Sequence, residues 1–212
     1  MKKINLIIIA IIFSITNSFS QTNSKNMKIV ENQLAPDFKV NDVYNNPVSI
    51  SQFKGKKVLL TFFRTAGCPV CNLRFHEMEQ QSEFLKNNNV VFIAVYASEK
   101  ENMLHYLTSS YPDSKKLYPI FIANTDQSLY KLYQTEKSTG KLINSLLFHG
   151  GFSTVSKGKK LFKDKIKDDG PKNLIGADFL IDENGKVVNA YYGKYSGDFI
   201  PIESIKKFAM SK

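Results

Sequence analysis

Apolar and polar positions change period several times along the chain, and the changes mark out its elements. Phe38-Lys39-Val40-Asn41-Asp42-Val43 alternates as a half-buried strand does, and Asn45-Asn46-Pro47 reads as the turn after it. Two strongly apolar runs follow, Val58–Arg64 and Val90–Tyr96, the pattern of strands covered on both faces. Between them, Pro69 to about Lys86 predicts one helix with Leu73, Met78, Phe84 and Leu85 at apolar positions, closed by Asn87-Asn88-Asn89. Glu99 to about Ser110 predicts a second helix, Pro119–Ala123 a short strand, and Ser128–Tyr133 the start of another helix. Ala177–Ile181 and Lys186–Tyr192 predict two strands around the turn Asp182-Glu183-Asn184-Gly185, and Glu203–Met210 a closing helix. Strand and helix alternate first and a hairpin comes late, which predicts an α/β fold around a sheet of mixed direction.

Two stretches stand outside that pattern. Lys2-Lys3, the apolar run from Ile4 to Ile15 and a cleavage site at Ser18-Phe19-Ser20 before Gln21 have the layout of a cleaved export signal over residues 1–20. The run is shorter than the ~20 apolar residues of a spanning helix, so cleavage is favoured over an anchor and no stable membrane span is expected afterwards. The expected location is the periplasm or cell envelope. Residues 21–33 are polar and read as a tether, and the domain is expected over 34–212. Within it, residues 137–172 carry Gly150-Gly151, a lysine-rich run from Lys157 to Lys167 and Asp168-Asp169-Gly170-Pro171, and read as a partly helical, largely solvated surface excursion.

Charge narrows the partners. The chain carries +10, but its only arginines are Arg64 and Arg74, and its lysines are spread along it. Nucleic-acid recognition clusters basic residues and uses arginine for bidentate contacts, so a lysine-rich solvated surface is the better reading.

The two cysteines stand at Cys68-Pro69-Val70-Cys71, directly after an apolar strand. This places Cys68 at a helix start, where unpaired N–H groups and the macrodipole favour a thiolate. Pro69 suits the first helical position because its missing N–H had no partner there. Residues i and i+3 share a helix face about 5–6 Å apart, inside the window a disulfide needs. A staple closing so small a loop removes little unfolded-chain entropy, so redox chemistry is the better reading than stapling. Arg64, at the strand end, either depresses the thiol pKa or is a solvated cation. Arg74 is expected to point away and lie on the surface; His76 falls along the helix from Cys68, and His105 and His149 have no spacing partner. Asp178 reads as a structural carboxylate accepting loop N–H groups, with proton relay as the alternative. Tyr191, Tyr192 and Tyr195 are expected on the sheet or its rim.

The order of elements around this pair resembles the thioredoxin fold, and more narrowly the alkyl hydroperoxide reductase / thiol-specific antioxidant (redoxin) superfamily in its peroxiredoxin-like branch. The residues that carry the resemblance are Ala35-Pro36-Asp37-Phe38, Phe62 to Leu73 around the cysteines, Ala177-Asp178-Phe179-Leu180-Ile181-Asp182, and Tyr191-Tyr192-Gly193 with Gly197-Asp198. The resemblance implies a three-layer sandwich with a mixed central sheet flanked by helices. It implies a thiol-dependent oxidoreductase with antioxidant activity: Cys68 attacks, Cys71 resolves, Thr65 helps to hold a peroxide, and no cofactor is needed. The substrate would be a small-molecule peroxide or a protein disulfide, and a thiol reductant would regenerate the pair. Thr61, Ile175 and Gly176 stand where relatives carry a proline, the distal arginine and a cis-proline. The alternative from another class is a copper-chaperone-like metal-handling protein, since soft thiolates suit Cu(I).

Overall fold

The structure is a computed structural model that describes residues 28–111, 118–161 and 167–211. The expected export signal lies outside these residues. The chain opens with a small two-stranded ribbon, β1 (Val40–Asn41) paired antiparallel with β2 (Pro47–Val48). The central sheet contains β3 (Lys57–Phe62), β4 (Val90–Tyr96), β5 (Ile120–Ala123), β6 (Ala177–Ile181) and β7 (Val187–Tyr192), in the order β5-β4-β3-β6-β7. The β3–β4 and β4–β5 pairs are parallel, and β3–β6 and β6–β7 are antiparallel. The mixed direction read from the sequence is therefore present, as a thioredoxin-like α/β fold.

Strand β3 is central because all six of its residues are buried, Lys57 included. Its side chains divide by the period of two between the sheet faces. Leu59 and Phe63 join one core with Phe75, Met78, Met103 and Ile205. Val58, Leu60 and Phe62 join the other, with Leu129, Tyr130 and Tyr133. Burying each large apolar side chain contributes roughly 1.5–3 kcal/mol, so this strand anchors both layers. The helices over the first face are α1 (Pro69–Glu79), α2 (Ser82–Asn87), α3 (Lys100–Ser110) and, nearer the C-terminus, α7 (Ile202–Met210). Helix α4 (Ser128–Leu132) lies on the second.

Three expectations are corrected. The helix predicted from Pro69 to Lys86 is two, because the chain leaves helical geometry around Gln80-Gln81 before α2 begins. The end of the expected tether is part of the fold: Asn32 N–H donates to Val187 O and Val187 N–H to Gln33 O, both at 2.8 Å, and Ile29 is buried. The excursion is also more than a solvated surface run. It leaves and returns at one place, where Ser138 N–H donates to Asn173 O at 2.8 Å and Ile175 N–H to Glu136 O at 3.0 Å. Between those points lie α5 (Thr139–Phe148) and α6 (Gly151–Leu161), and α6 is seated on the start of α1. The approach is close: a Cβ on Gly158 would stand 2.2 Å from Pro69 O.

Candidate active site

The site is the loop between β3 and α1. Phe63 N–H donates to Val95 O at 2.9 Å and Ala97 N–H to Arg64 O at 2.8 Å, which extends the β3–β4 ladder past the strand end. The loop then turns under three local bonds. Cys68 N–H donates to Thr65 O at 3.1 Å, Asn72 Nδ2 to Ala66 O at 2.9 Å, and Ala66 N–H to Ser98 Oγ at 2.8 Å. These bonds deliver Cys68 to the N-cap of α1, with Pro69 first in the helix.

At that position Cys68 Sγ accepts from Cys71 N–H at 3.3 Å, satisfying one of the donors a helix start leaves open. The Cys71 thiol donates to Cys68 Sγ at 2.7 Å, and Arg64 N–H donates to Cys71 Sγ at 3.3 Å. Both cysteines are free thiols, Cys68 at 0% exposure and Cys71 at 4%.

The two thiols are driven apart in acidity. Burial pushes the Cys68 thiol up, but the bond from the Cys71 thiol, the Arg64 charge and the Cys71 N–H together outweigh it, against a smaller opposing push from Asp168. The result is a Cys68 pKa lowered to about 7. Burial, the bond it gives to Cys68 and the charge beside it hold Cys71 well above the usual thiol range. Above about pH 7 the favoured arrangement of the pair is therefore a Cys68 thiolate with the proton on Cys71.

The predicted site residues fall around these thiols. Arg64 is half-buried; its charge reaches both sulfurs and Asp168, and Nη1 donates to Lys172 O at 2.8 Å. Thr65 is buried, and its hydroxyl donates to Asp168 Oδ1 at 2.6 Å. Asp178 is buried between Thr61 Oγ1, which donates to it at 2.7 Å, and Ile200 N–H, at 2.8 Å; burial raises its pKa. The structural reading of that carboxylate fits these contacts. His76 lies beside Gln80, and exposed His149 stacks on Tyr195 with centroids 3.8 Å apart. Tyr191 donates to Asp198 and Tyr192 to Tyr133 O.

Arg74 departs from its predicted place. Its charge is buried rather than on the surface: Nη2 donates to Ile200 O at 2.6 Å, Nη1 lies 3.7 Å from Glu77, and the guanidinium sits over the Phe199 ring. The angular count along α1 could not show that the loop before α7 folds against that side of the helix.

Sequence reasoning also missed the residues that close over the site. Asp169 accepts from Ser98 Oγ at 2.7 Å and from Glu99 N–H at 2.8 Å, and Asn102 Nδ2 donates to Lys167 O at 2.6 Å. With Asp168 on Thr65 and Lys172 on Arg64, residues 167–172 form a strap across the active-site loop. Gly170 lies so close beneath that a Cβ there would stand 2.3 Å from Ala97 O and 2.7 Å from the Thr65 methyl. The available signal was two adjacent carboxylates and a Gly-Pro turn inside an otherwise lysine-rich run.

A family profile for redoxins matches residues 30–205. The chain belongs to the redoxin family. This redoxin is 30% identical over 105 residues to the thiol-disulfide oxidoreductase ResA of Bacillus subtilis, a match over 50% of this chain and 56% of ResA. The chain thus spans little more than half the length of that curated relative. Its fold is shared with a Chlorobium tepidum protein assigned to the DsbE thiol:disulfide interchange proteins, at 18% identity and a TM-score of 0.55 over 85% of this chain and 96% of the other. Peroxidoxin BcpB of Mycobacterium tuberculosis shares it too, at 10% identity and a TM-score of 0.59 over 86% and 98%. The family match thus fixes the family, and the oxidoreductase activity is that of the relative ResA. Among the described residues, no group of three or more His, Cys, Asp or Glu is arranged to hold a metal.

Proposed function

We propose that this redoxin is an exported thiol-disulfide oxidoreductase in which Cys68 attacks a substrate disulfide and Cys71 resolves the product. The observation that carries the reading is the unequal pair: a Cys68 thiol lowered to about 7 and within hydrogen-bond reach of a protonated Cys71. Thiolate Cys68 attacks one sulfur of R–S–S–R′, forming Cys68–S–S–R and releasing R′–S⁻. That step removes the negative charge that helped to hold the proton on Cys71, while the Arg64 N–H and guanidinium still favour its thiolate. Cys71 then loses its proton and attacks the Cys68 sulfur, releasing R–S⁻ and leaving Cys68–Cys71 oxidised. Two thiols are oxidised, one disulfide is reduced, and an external dithiol must restore the pair.

A groove of about 260 Å³ is lined by Val70 of the Cys-Pro-Val-Cys turn with Arg74, Thr154, Tyr195 and Phe199, and offers a place for part of a substrate, although neither cysteine lines it. Export is supported by the basic and apolar start of the chain, which is also the compartment where substrate disulfides persist.

The burial of Cys68 favours a second reading, peroxide reduction, because a peroxide is small enough to enter where a protein disulfide is not. There the thiolate attacks one peroxide oxygen, the other leaves as water or alcohol, and Cys71 condenses with the sulfenic acid to give the same disulfide and water. Single-turnover rates separate the two. Reduced protein is mixed with hydrogen peroxide or with a small disulfide-bonded protein, and thiol loss is followed by mass spectrometry with Cys68→Ser as the blank. Faster loss with the disulfide is expected. Faster loss with peroxide makes the protein an antioxidant peroxidase, and slow loss with both removes the enzymatic reading.

A further inference from the structure

Helices α5 and α6 are inverted amphipathic helices. A surface helix ordinarily turns its large apolar residues inward and its small or charged ones outward. In α5 the buried residue is Ser145, whose hydroxyl donates to Ser196 O at 2.6 Å. Ile143 and Leu147, four apart on the opposite side of the helix, are exposed, and Phe148 ends the helix at 75% exposure. In α6 the buried positions are the glycines Gly151 and Gly158, while Phe152 is 67% exposed. Lys159 lies seven residues after Phe152, on the same outward face of the helix. Five of the ten large apolar side chains exposed among the described residues stand in this one hairpin: Ile143, Leu147, Phe148, Phe152 and Leu161.

The charge on the hairpin has one sign. From Lys137 to Lys163 the sequence contains six lysines and no Asp or Glu. Lys141 is engaged by Glu136 at 2.6 Å, but among the described residues no carboxylate pairs with Lys157, Lys159 or Lys160, all exposed. An exposed aromatic and aliphatic tip flanked by exposed lysines is complementary to a surface that is apolar beneath and anionic on top.

We propose that the α5–α6 hairpin docks this protein on an anionic lipid surface, with Leu147, Phe148 and Phe152 entering the acyl boundary and Lys157, Lys159 and Lys160 meeting the headgroups. This surface is separate from the thiol chemistry and does not depend on which substrate the cysteines reduce. Because α6 rests on Pro69, docking would hold the active-site loop close to the lipid.

The chain contains no tryptophan, so Phe152→Trp is a single local reporter that the apolar leader cannot mimic even where the leader itself inserts. The full chain carrying Phe152→Trp is titrated with phosphatidylglycerol vesicles and with phosphatidylcholine vesicles, each with and without acyl-brominated lipid. The expected result is a blue shift and bromine quenching with the anionic vesicles, weakened by added salt. With Lys157, Lys159 and Lys160 all changed to Gln, the response should fall by on the order of a hundredfold in partitioning, at roughly fivefold per lysine near an anionic surface, while thiol turnover persists. An equal response to both lipids overturns the proposal. So does a concentration-dependent blue shift without vesicles, which assigns the patch to a second copy of the chain. No response to either lipid overturns it as well and leaves the face to a protein partner.

Discussion

The thiols lie between two regions held together by different physics. Beneath them, the scaffold is made of β3, β6 and the segment before α7, and its polar contacts are buried: Asp178 bonds Thr61 and Ile200, and Arg74 bonds Ile200 O. Above them, the strap at 167–172 is held by carboxylates and carbonyls at the surface, with Asp168 itself exposed. A buried hydrogen bond cannot be exchanged for water without leaving a partner unsatisfied, whereas a surface one can. Opening the strap therefore costs less than opening the scaffold. On the proposed function, a macromolecular disulfide would reach Cys68, at 0% exposure, only with the strap lifted.

The largest effect expected concerns the thiols that both regions enclose. Cys68→Ser should abolish thiol loss with any substrate, and Cys71→Ser should stop at a trapped mixed disulfide, seen as added mass on Cys68. Release of both product thiols by Cys71→Ser would show that resolution does not need the second cysteine.

Breaking the scaffold comes next. Asp178→Ala leaves Thr61 and Ile200 N–H without their buried partner and should cost about 1–3 kcal/mol, several degrees in Tm, read by thermal unfolding. The pH dependence has a definite sign. Because the folded pKa of Asp178 is raised, the protonated form is favoured by folding, and that contribution is present below the unfolded pKa and lost as pH rises through the folded value. Asp178→Asn should remove this part of the pH dependence.

Loosening the seat of α6 on the active-site helix should change access. Gly158→Ala drives a Cβ into the Pro69 backbone and should cost about 1–3 kcal/mol, and a bulky thiol reagent should then label Cys68 several-fold faster. Unchanged labelling would place the barrier in the strap alone.

The smallest effects are on the Cys68 titration. Its alkylation rate should rise with pH around a midpoint near 7. Arg64→Ala removes a cation that lowers the pKa and should move the midpoint up; Asp168→Asn removes an opposing carboxylate while keeping an acceptor for Thr65, and should move it down. Shifts in the same direction for both variants would mean that the strap acts through burial rather than charge.

How much was legible beforehand follows the range of the interactions. Strand β3, the strand-to-helix turn and the capping position of Cys68 are determined within about a dozen residues, from Val58 to Cys71. Their causes are local: an apolar run, an N-cap and a proline that tolerates the first helical turn. Arg74 was misplaced because its partner Ile200 lies 126 residues away, and the strap was missed because Asp168 and Thr65 are 103 residues apart. Both segments have ordinary loop composition.

The sequence by itself thus determined the position of the cysteine pair after a buried strand and the mixed direction of the sheet, since each is read from periodicity, turn signals and short-range backbone chemistry. Only the tertiary structure decided that the thiols are enclosed, that their acidities are driven apart, and that an apolar, lysine-flanked hairpin stands over the active-site helix. Those properties depend on burial and on charges brought together from distant parts of the chain, and linear spacing carries no record of either.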